Sequence, residues 1–223
     1  AGRLVLGSWR LVFGALLGAS ILSAFLIHFA VPETLPAAYR QRFDLASTLR
    51  GARSLLTNRG FLVMTFLAGF AFASFFVFIA AASFVYIGSF GLTATQFSLA
   101  FAVNAIGFFT ASQFSATISA RVGTLRMIRR ATIGFSLATF AGFGLALAGL
   151  ASLPVTMTTL FIGNMFLGVL MPSAQVQALE EHGKIAGLAA SLGGTLQMLA
   201  AAALVVAAGP FLPGTVTPML RAI

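Results

Sequence analysis

The chain of 223 residues has little charge: Asp and Glu together number 4, and charged residues make up 8% of the whole. A typical soluble protein has about a quarter of its residues charged, and so few charges cannot cover a water-exposed surface of this size. A soluble fold is excluded. So is disorder, which needs polar, charge-rich sequence. Cysteine is absent, which excludes disulfides, thiol catalysis and thiolate metal sites. One Trp and 2 Tyr accompany 24 Phe, so the aromatic content is almost entirely hydrocarbon.

What is present is apolar. Hydrophobic residues reach 59% and the mean hydropathy is +1.02. Uncharged runs cover Leu11 to Pro32 (22 residues), Gly60 to Ala120 (61), Ala131 to Leu179 (49) and Ile185 to Leu220 (36). A membrane-crossing helix needs roughly 20 apolar residues, so the first run holds one span and the second and third hold two each. The fourth holds one span and the start of another. Turn residues fall at Gly88–Thr93, Gly149–Pro154 and Gly209–Gly214, where such hairpins need them. The predicted spans are 11–31, 61–87, 96–119, 131–149, 155–178 and 185–208. Continuous apolarity argues against a β-barrel, whose strands alternate. The expected fold class is all-α, a polytopic helical membrane protein. Residues 1–31 form its first span, 32–59 a loop, and 60–223 a bundle incomplete at its last helix. The first run leads straight into a basic loop, so it reads as a genuine span rather than a signal peptide. The chain is expected to begin within a longer protein.

The net charge of +9 does not point to nucleic acid, because Lys and Arg sort to cytoplasmic loops. Arg40, Arg42, Arg50, Arg53 and Arg59 fall in the 32–59 loop, Arg121, Arg126, Arg129 and Arg130 in 120–130, and Lys184 in 179–184. The turns near 90, 152 and 211 are uncharged. This alternation places the basic loops in the cytoplasm, with Arg3 and Arg10 as a mild violation. Between Arg42 and Leu56, apolar Phe43, Leu45, Leu49, Ala52 and Leu56 alternate with basic residues. Two readings stand there evenly: an amphipathic interfacial helix, or a solvated linker held near anionic membrane lipids by its charge.

No Asp, Glu, Lys or Arg lies inside a predicted span, and His28 is the one ionisable group there. His28 has no acidic neighbour in its helix, so a metal or relay role is not expected. Paired carboxylates and a nucleophile beside a base are missing, as are the HExxH, GxSxG and GxxxxGK[ST] patterns. Neither catalysis nor a cofactor is expected. The polar groups that remain are neutral: Asn104, Asn164 and Gln197, each in mid-span. Amides are costly in hydrocarbon without partners, so each faces another helix or a shared cavity. Helical spacing puts Asn104 with Phe101, Phe108 and Ala111, and Asn164 with Gly168, Met171 and Gln175. Gln197 shares a face with Ala190, Gly193, Gly194 and Ala201, and the small residues predict close helix packing. Phe72, Phe75, Phe76, Ile79, Ser83 and Tyr86 form a stripe on the second span. The cavity candidates are Phe75, Phe76, Asn104, Phe108, Asn164 and Gln197, a set suited to lipophilic, weakly polar ligands.

Several segments together resemble a known family: Trp9-Arg10, Pro32-Glu33-Thr34-Leu35-Pro36, Asn58-Arg59-Gly60-Phe61 and Arg121-Val122-Gly123. To these is added Gly183 to Met198, reading Gly-x-x-Ala-Gly-x-Ala-Ala-Ser-x-x-Gly-x-x-Gln-Met. The chain is similar to the C-terminal half of a major facilitator superfamily transporter, and within it to the bicyclomycin and chloramphenicol resistance group of drug:proton antiporters. The resemblance implies helices six to eleven of twelve, with Thr215 to Ile223 starting the twelfth and a missing N-terminal helical half as partner. It also implies that the second, third, fifth and sixth spans line the central cavity. The family's motif Gly-x-x-x-Asp-Arg-x-Gly-Arg-Arg stands here as Ala116-x-x-x-Ala120-Arg121-x-Gly123-Thr124-Leu125, without its Asp. The function so implied is export of small lipophilic drug-like molecules across the bacterial inner membrane in exchange for protons. A metabolite carrier and a non-transporting scaffold are the alternatives.

Overall fold

The computed structural model describes residues 9–30 and 44–208. Among these the regular structure is entirely helical: α1 (Trp9–Ala30), α2 (Leu45–Thr57), α3 (Arg59–Ser83), α4 (Ala94–Val122), α5 (Thr124–Leu147), α6 (Leu153–Glu180) and α7 (Ala186–Ala208). A π-helical turn, Phe84–Ser89, extends α3, and a 3₁₀ turn, Gly183–Ile185, leads into α7. Among the described residues six segments are long and apolar enough to cross a membrane, and each overlaps one of the six predicted spans. Phe43, Arg40, Arg42 and the expected start of a further helix beyond Gly209 lie outside the described residues.

α1 is a unit of its own. It is apolar on every face. Its Ser20 and Ser23 hydroxyls donate to the Leu16 and Ala19 carbonyls, both at 2.8 Å. This back-bonding hides polar groups that hydrocarbon would penalise. His28 packs its ring edge-on against Phe29, at 4.7 Å between centroids.

In the bundle the helix ends follow local chemistry. Asn58 caps α3, accepting from the Phe61 amide at 2.8 Å. Thr93 and Gln96 form a reciprocal capping box at the start of α4. The predicted turns at 88–93 and 149–154 are present, with Gly91 at φ +67° and Gly149 at φ +75°. The expected 120–130 loop is not a loop. α4 runs to Val122 and α5 starts at Thr124, leaving Gly123 (φ +87°) as the whole connection. Arg126, Arg129 and Arg130 therefore stand in the first two turns of α5. Arginine is a good helix former, and its long stem lets the charge reach past the helix end. Across the joint the Ser119 and Thr124 hydroxyls share a hydrogen bond at 2.7 Å.

The core is stacked in three layers. At the basic end Leu55, Phe61, Ala178 and Ala189 pack together. In the middle Ala71, Ile128, Ala131, Leu167, Leu170 and Met171 do so. At the far end Phe78, Ala82, Val85, Tyr86, Ala100, Ala146 and Leu160 close the bundle. α6 is the central element, packed on α3, α4 and α5, while α7 packs chiefly on α3. The small residues of α7 make that last contact: a Cβ on Gly69 of α3 would lie 3.3 Å from the Gln197 backbone, and one on Gly193 3.6 Å from the Phe61 ring.

The helical reading of the 42–56 stretch holds from Leu45 onward. Leu55 is fully buried, while Leu45, Leu49 and Leu56 are exposed. Leu55 faces α7 because Gly51, one turn earlier on the same face, lets the Leu188 side chain come close.

Candidate functional site

The site is built on the crossing of α4 and α6. Asn104 and Asn164 are 1% and 4% exposed, and their amides meet. Asn104 Nδ2 donates to the Ala100 carbonyl at 3.0 Å, and Asn164 Nδ2 donates to Asn104 Oδ1 at 3.1 Å. A backbone carbonyl only accepts, so Ala100 fixes which way the Asn104 amide points, and Asn104 in turn fixes Asn164. One turn further along both helices is Gly168 against Phe108. A Cβ on Gly168 would collide with the Phe108 carbonyl oxygen and lie 3.1 Å from its carbonyl carbon. The missing side chain is what brings the two amides within reach.

Beside this pair lies a cavity of about 230 Å³ between α3 and α4, bounded behind by α6. Phe75, Phe78, Phe101 and Phe108 wall it, and Ile79, Ala105, Phe109 and the two asparagines complete the lining. The rings stand in two near-parallel pairs across α3 and α4: Phe75 with Phe108 at 5.1 Å and 25°, and Phe78 with Phe101 at 5.7 Å and 7°. The accessible wall is hydrocarbon throughout, because the amides are turned toward one another. Ile79 and Phe109, 40% and 62% exposed, mark its open side. The second tyrosine of the chain, Tyr86, projects from the π-helical turn. Its fully buried hydroxyl approaches the Asn104 amide without closing a hydrogen bond of good geometry.

Of the six candidates, the structure brings Phe75, Asn104, Phe108 and Asn164 together here. It sets the other two apart. Phe76 is 40% exposed and stacks on Phe72 at 6.4 Å, outside the cavity. Gln197 is buried at 3% exposure and lines a separate crevice of about 10 Å³ with Phe61, Thr65, Gln175 and Gly193, between α3, α6 and α7. Phe78 is a lining residue that helical spacing missed. The stretch from Phe75 to Ala82 is apolar on all sides, so no periodicity marks the inward face. Phe101 carried a signal, since it shares a face with Asn104.

Comparison with known proteins places these helices. The family model described as Major Facilitator Superfamily matches residues 1–205. A "Bicyclomycin resistance protein homolog" of Haemophilus influenzae is 29% identical over 218 residues, covering 95% of this chain and 53% of that protein. The "Uncharacterized MFS-type transporter YdgK" of Bacillus subtilis is 25% identical over 192 residues, covering 86% of this chain and 48% of its own. The chain thus spans about half the length of the curated relatives it matches. No solved structure matches it significantly.

Proposed function

Because this chain belongs to the major facilitator superfamily, a family of transporters and not of enzymes, we propose that it forms part of a multi-pass carrier exporting small lipophilic drug-like molecules. The proposed setting is the bacterial inner membrane, with protons as the exchanged ion and alternating access around a midplane site. One observation carries the cargo class: the 230 Å³ cavity walled by two ring pairs and free of charged residues. Such a wall rewards ring stacking and apolar burial, and it offers little to a sugar or an organic acid. The printed name of the Haemophilus influenzae relative concerns bicyclomycin resistance, which agrees with drug export.

In this reading Phe75, Phe78, Phe101 and Phe108 touch the cargo. Asn104 and Asn164 hold α4 to α6 behind them and set the cavity's depth. Phe76 and Gln197, which line other surfaces, are left out of it. The family resemblance puts the proton-coupling carboxylate in the N-terminal helical half; Glu180 and Glu181 stand at the end of α6.

The test is transport by the full-length protein in proteoliposomes under an imposed proton gradient, with a panel of lipophilic drugs. Gradient-driven movement abolished by an uncoupler is expected. Movement indifferent to the uncoupler would mean facilitation, and no movement of any drug would remove the exporter reading. Asn104→Ala should shift the drug profile or slow transport at unchanged protein level. Unchanged transport of every substrate would take Asn104 out of the site.

A further inference from the structure

A second set of neutral polar groups lies toward the basic end of the bundle, in the crevice between α3, α6 and α7. Thr65 is fully buried there, and its hydroxyl has no hydrogen-bond partner among the described residues. Gln197 is 3% exposed, and its amide has no hydrogen bond among the described residues either. Each buried polar group left unpaired costs about 1–3 kcal/mol. Two of them at one place mark a partner supplied from outside these helices. Thr65 and Phe75 are ten residues apart on α3, or about 15 Å along its axis, so the crevice is separate from the ring-walled cavity.

The small residues beside these groups shape what the partner is. Gly193 forms the floor. A Cβ there would lie 3.6 Å from the Phe61 ring and 3.7 Å from Thr65 Oγ1, so its absence keeps the space beside the hydroxyl open. The crevice holds about 10 Å³, room for one oxygen-sized group. At Gly194 a Cβ would meet nothing within 4 Å, and Ala190 and Gln175 are exposed. The crevice opens there to a molecule larger than the oxygen it encloses. No charged side chain lines it, and an ion without a counter-charge is costly to bury. A hydroxyl both donates and accepts, which matches a threonine hydroxyl facing an amide.

We propose that the crevice is a second recognition site, taking the hydroxyl of an uncharged lipophilic alcohol. Thr65 Oγ1 and the Gln197 amide hydrogen-bond that hydroxyl, and the hydrocarbon lies across Ala190 and Gly194 at the mouth. The site rests on the carrier reading for its class of molecule, and it adds a polar preference that the hydrocarbon wall of the ring cavity does not supply.

The probes are naphthalenemethanol and methylnaphthalene, which differ by one hydroxyl. Binding of each to the full-length protein in nanodiscs is followed by its own fluorescence, with empty nanodiscs correcting for partition into lipid. The alcohol should keep one site per chain under saturating methylnaphthalene. Thr65→Val should weaken that site about three- to tenfold, the loss of one neutral hydrogen bond. Gly193→Ala, whose methyl takes the place of the oxygen, should remove it. Both variants keep the packing: valine matches threonine in shape, and the added methyl meets its neighbours at ordinary van der Waals distance. A Thr65→Val protein that melts no lower yet binds the alcohol less separates recognition from folding. Complete displacement of the alcohol by methylnaphthalene would overturn the proposal, as would residual binding indifferent to both substitutions; either result leaves the crevice to water alone. Methylnaphthalene binding reports on the ring cavity, so its absence would count against the proposed cargo, while the response of the alcohol to the two variants still decides this site.

Discussion

Gly168→Ala tests the architecture of the site most directly. Its added methyl has nowhere to go: the neighbours are the backbone oxygen, carbonyl carbon and Cα of Phe108, the last two at 3.1 and 3.2 Å. Backbone cannot rotate aside as a side chain would, so α4 and α6 must separate by on the order of 1 Å. The Asn164 to Asn104 hydrogen bond, now 3.1 Å long, then passes the length at which it ceases to be one. Overpacking costs about 1–3 kcal/mol and the lost interhelical bond about 0.6 kcal/mol. The better helix propensity of alanine returns about 0.9 kcal/mol. The net is a destabilisation of about 1–3 kcal/mol, which should lower Tm by a few degrees. The measurement is thermal unfolding of the purified full-length protein in detergent, with Gly144→Ala as control. Gly144 is also a helix glycine, but a Cβ there meets nothing within 4 Å, so its Tm should hold or rise. Combining Gly168→Ala with Asn104→Ala should cost less than the two separately, because both break the same bond. If Gly168→Ala behaves like Gly144→Ala, or if the pair is additive, the glycine does not set the spacing of the amides.

Two further substitutions probe features away from the cavity. Thr65 is fully buried and its hydroxyl has no hydrogen-bond partner among the described residues; burying an unpaired hydroxyl costs about 1–3 kcal/mol, so the isosteric Thr65→Val should raise Tm by a few degrees in the same assay, and a fall would show that the hydroxyl is engaged in the Gln197 crevice. Gly123 sits at φ +87° and ψ 136°, a region nearly closed to other residues, and Gly123→Ala should cost about 1–3 kcal/mol; a melting curve matching that of Gly144→Ala would show that the joint relaxes freely.

The spans were readable from the sequence because membrane insertion is written in uncharged length, and charge is scarce enough here to punctuate it. The ends were less readable. Arginine tolerates a helix as well as a loop, so the cluster from Arg121 to Arg130 looked like a connection when Gly123 alone supplies it. Asn104 and Asn164 stood out as amides in hydrocarbon, and helical spacing placed them correctly beside Phe108 and Gly168. That they bond to each other is a property of the α4 and α6 crossing, which spacing within one helix cannot reveal. Gln197 carried the same signal as the two asparagines yet faces α3, for the same reason. On α2 the leucine stripe was visible, but the docked face depends on Leu188 of a distant helix meeting Gly51.

The packing of the bundle has a mechanical consequence. α4 and α5 are joined by one residue and both lie along α6, so these three helices form a stiff block. α3 and α7 form a second block, and α7 barely touches α6. Strain within this part of the molecule is therefore relieved most easily by shear, with the α3 and α7 pair sliding along α6. Such a slide carries Phe75 and Phe78 past Phe108 and Phe101, changing the volume between the rings. It leaves the asparagine brace untouched, since both of its members ride on the stiff block. The cavity can thus change shape without breaking the bond that holds its back wall.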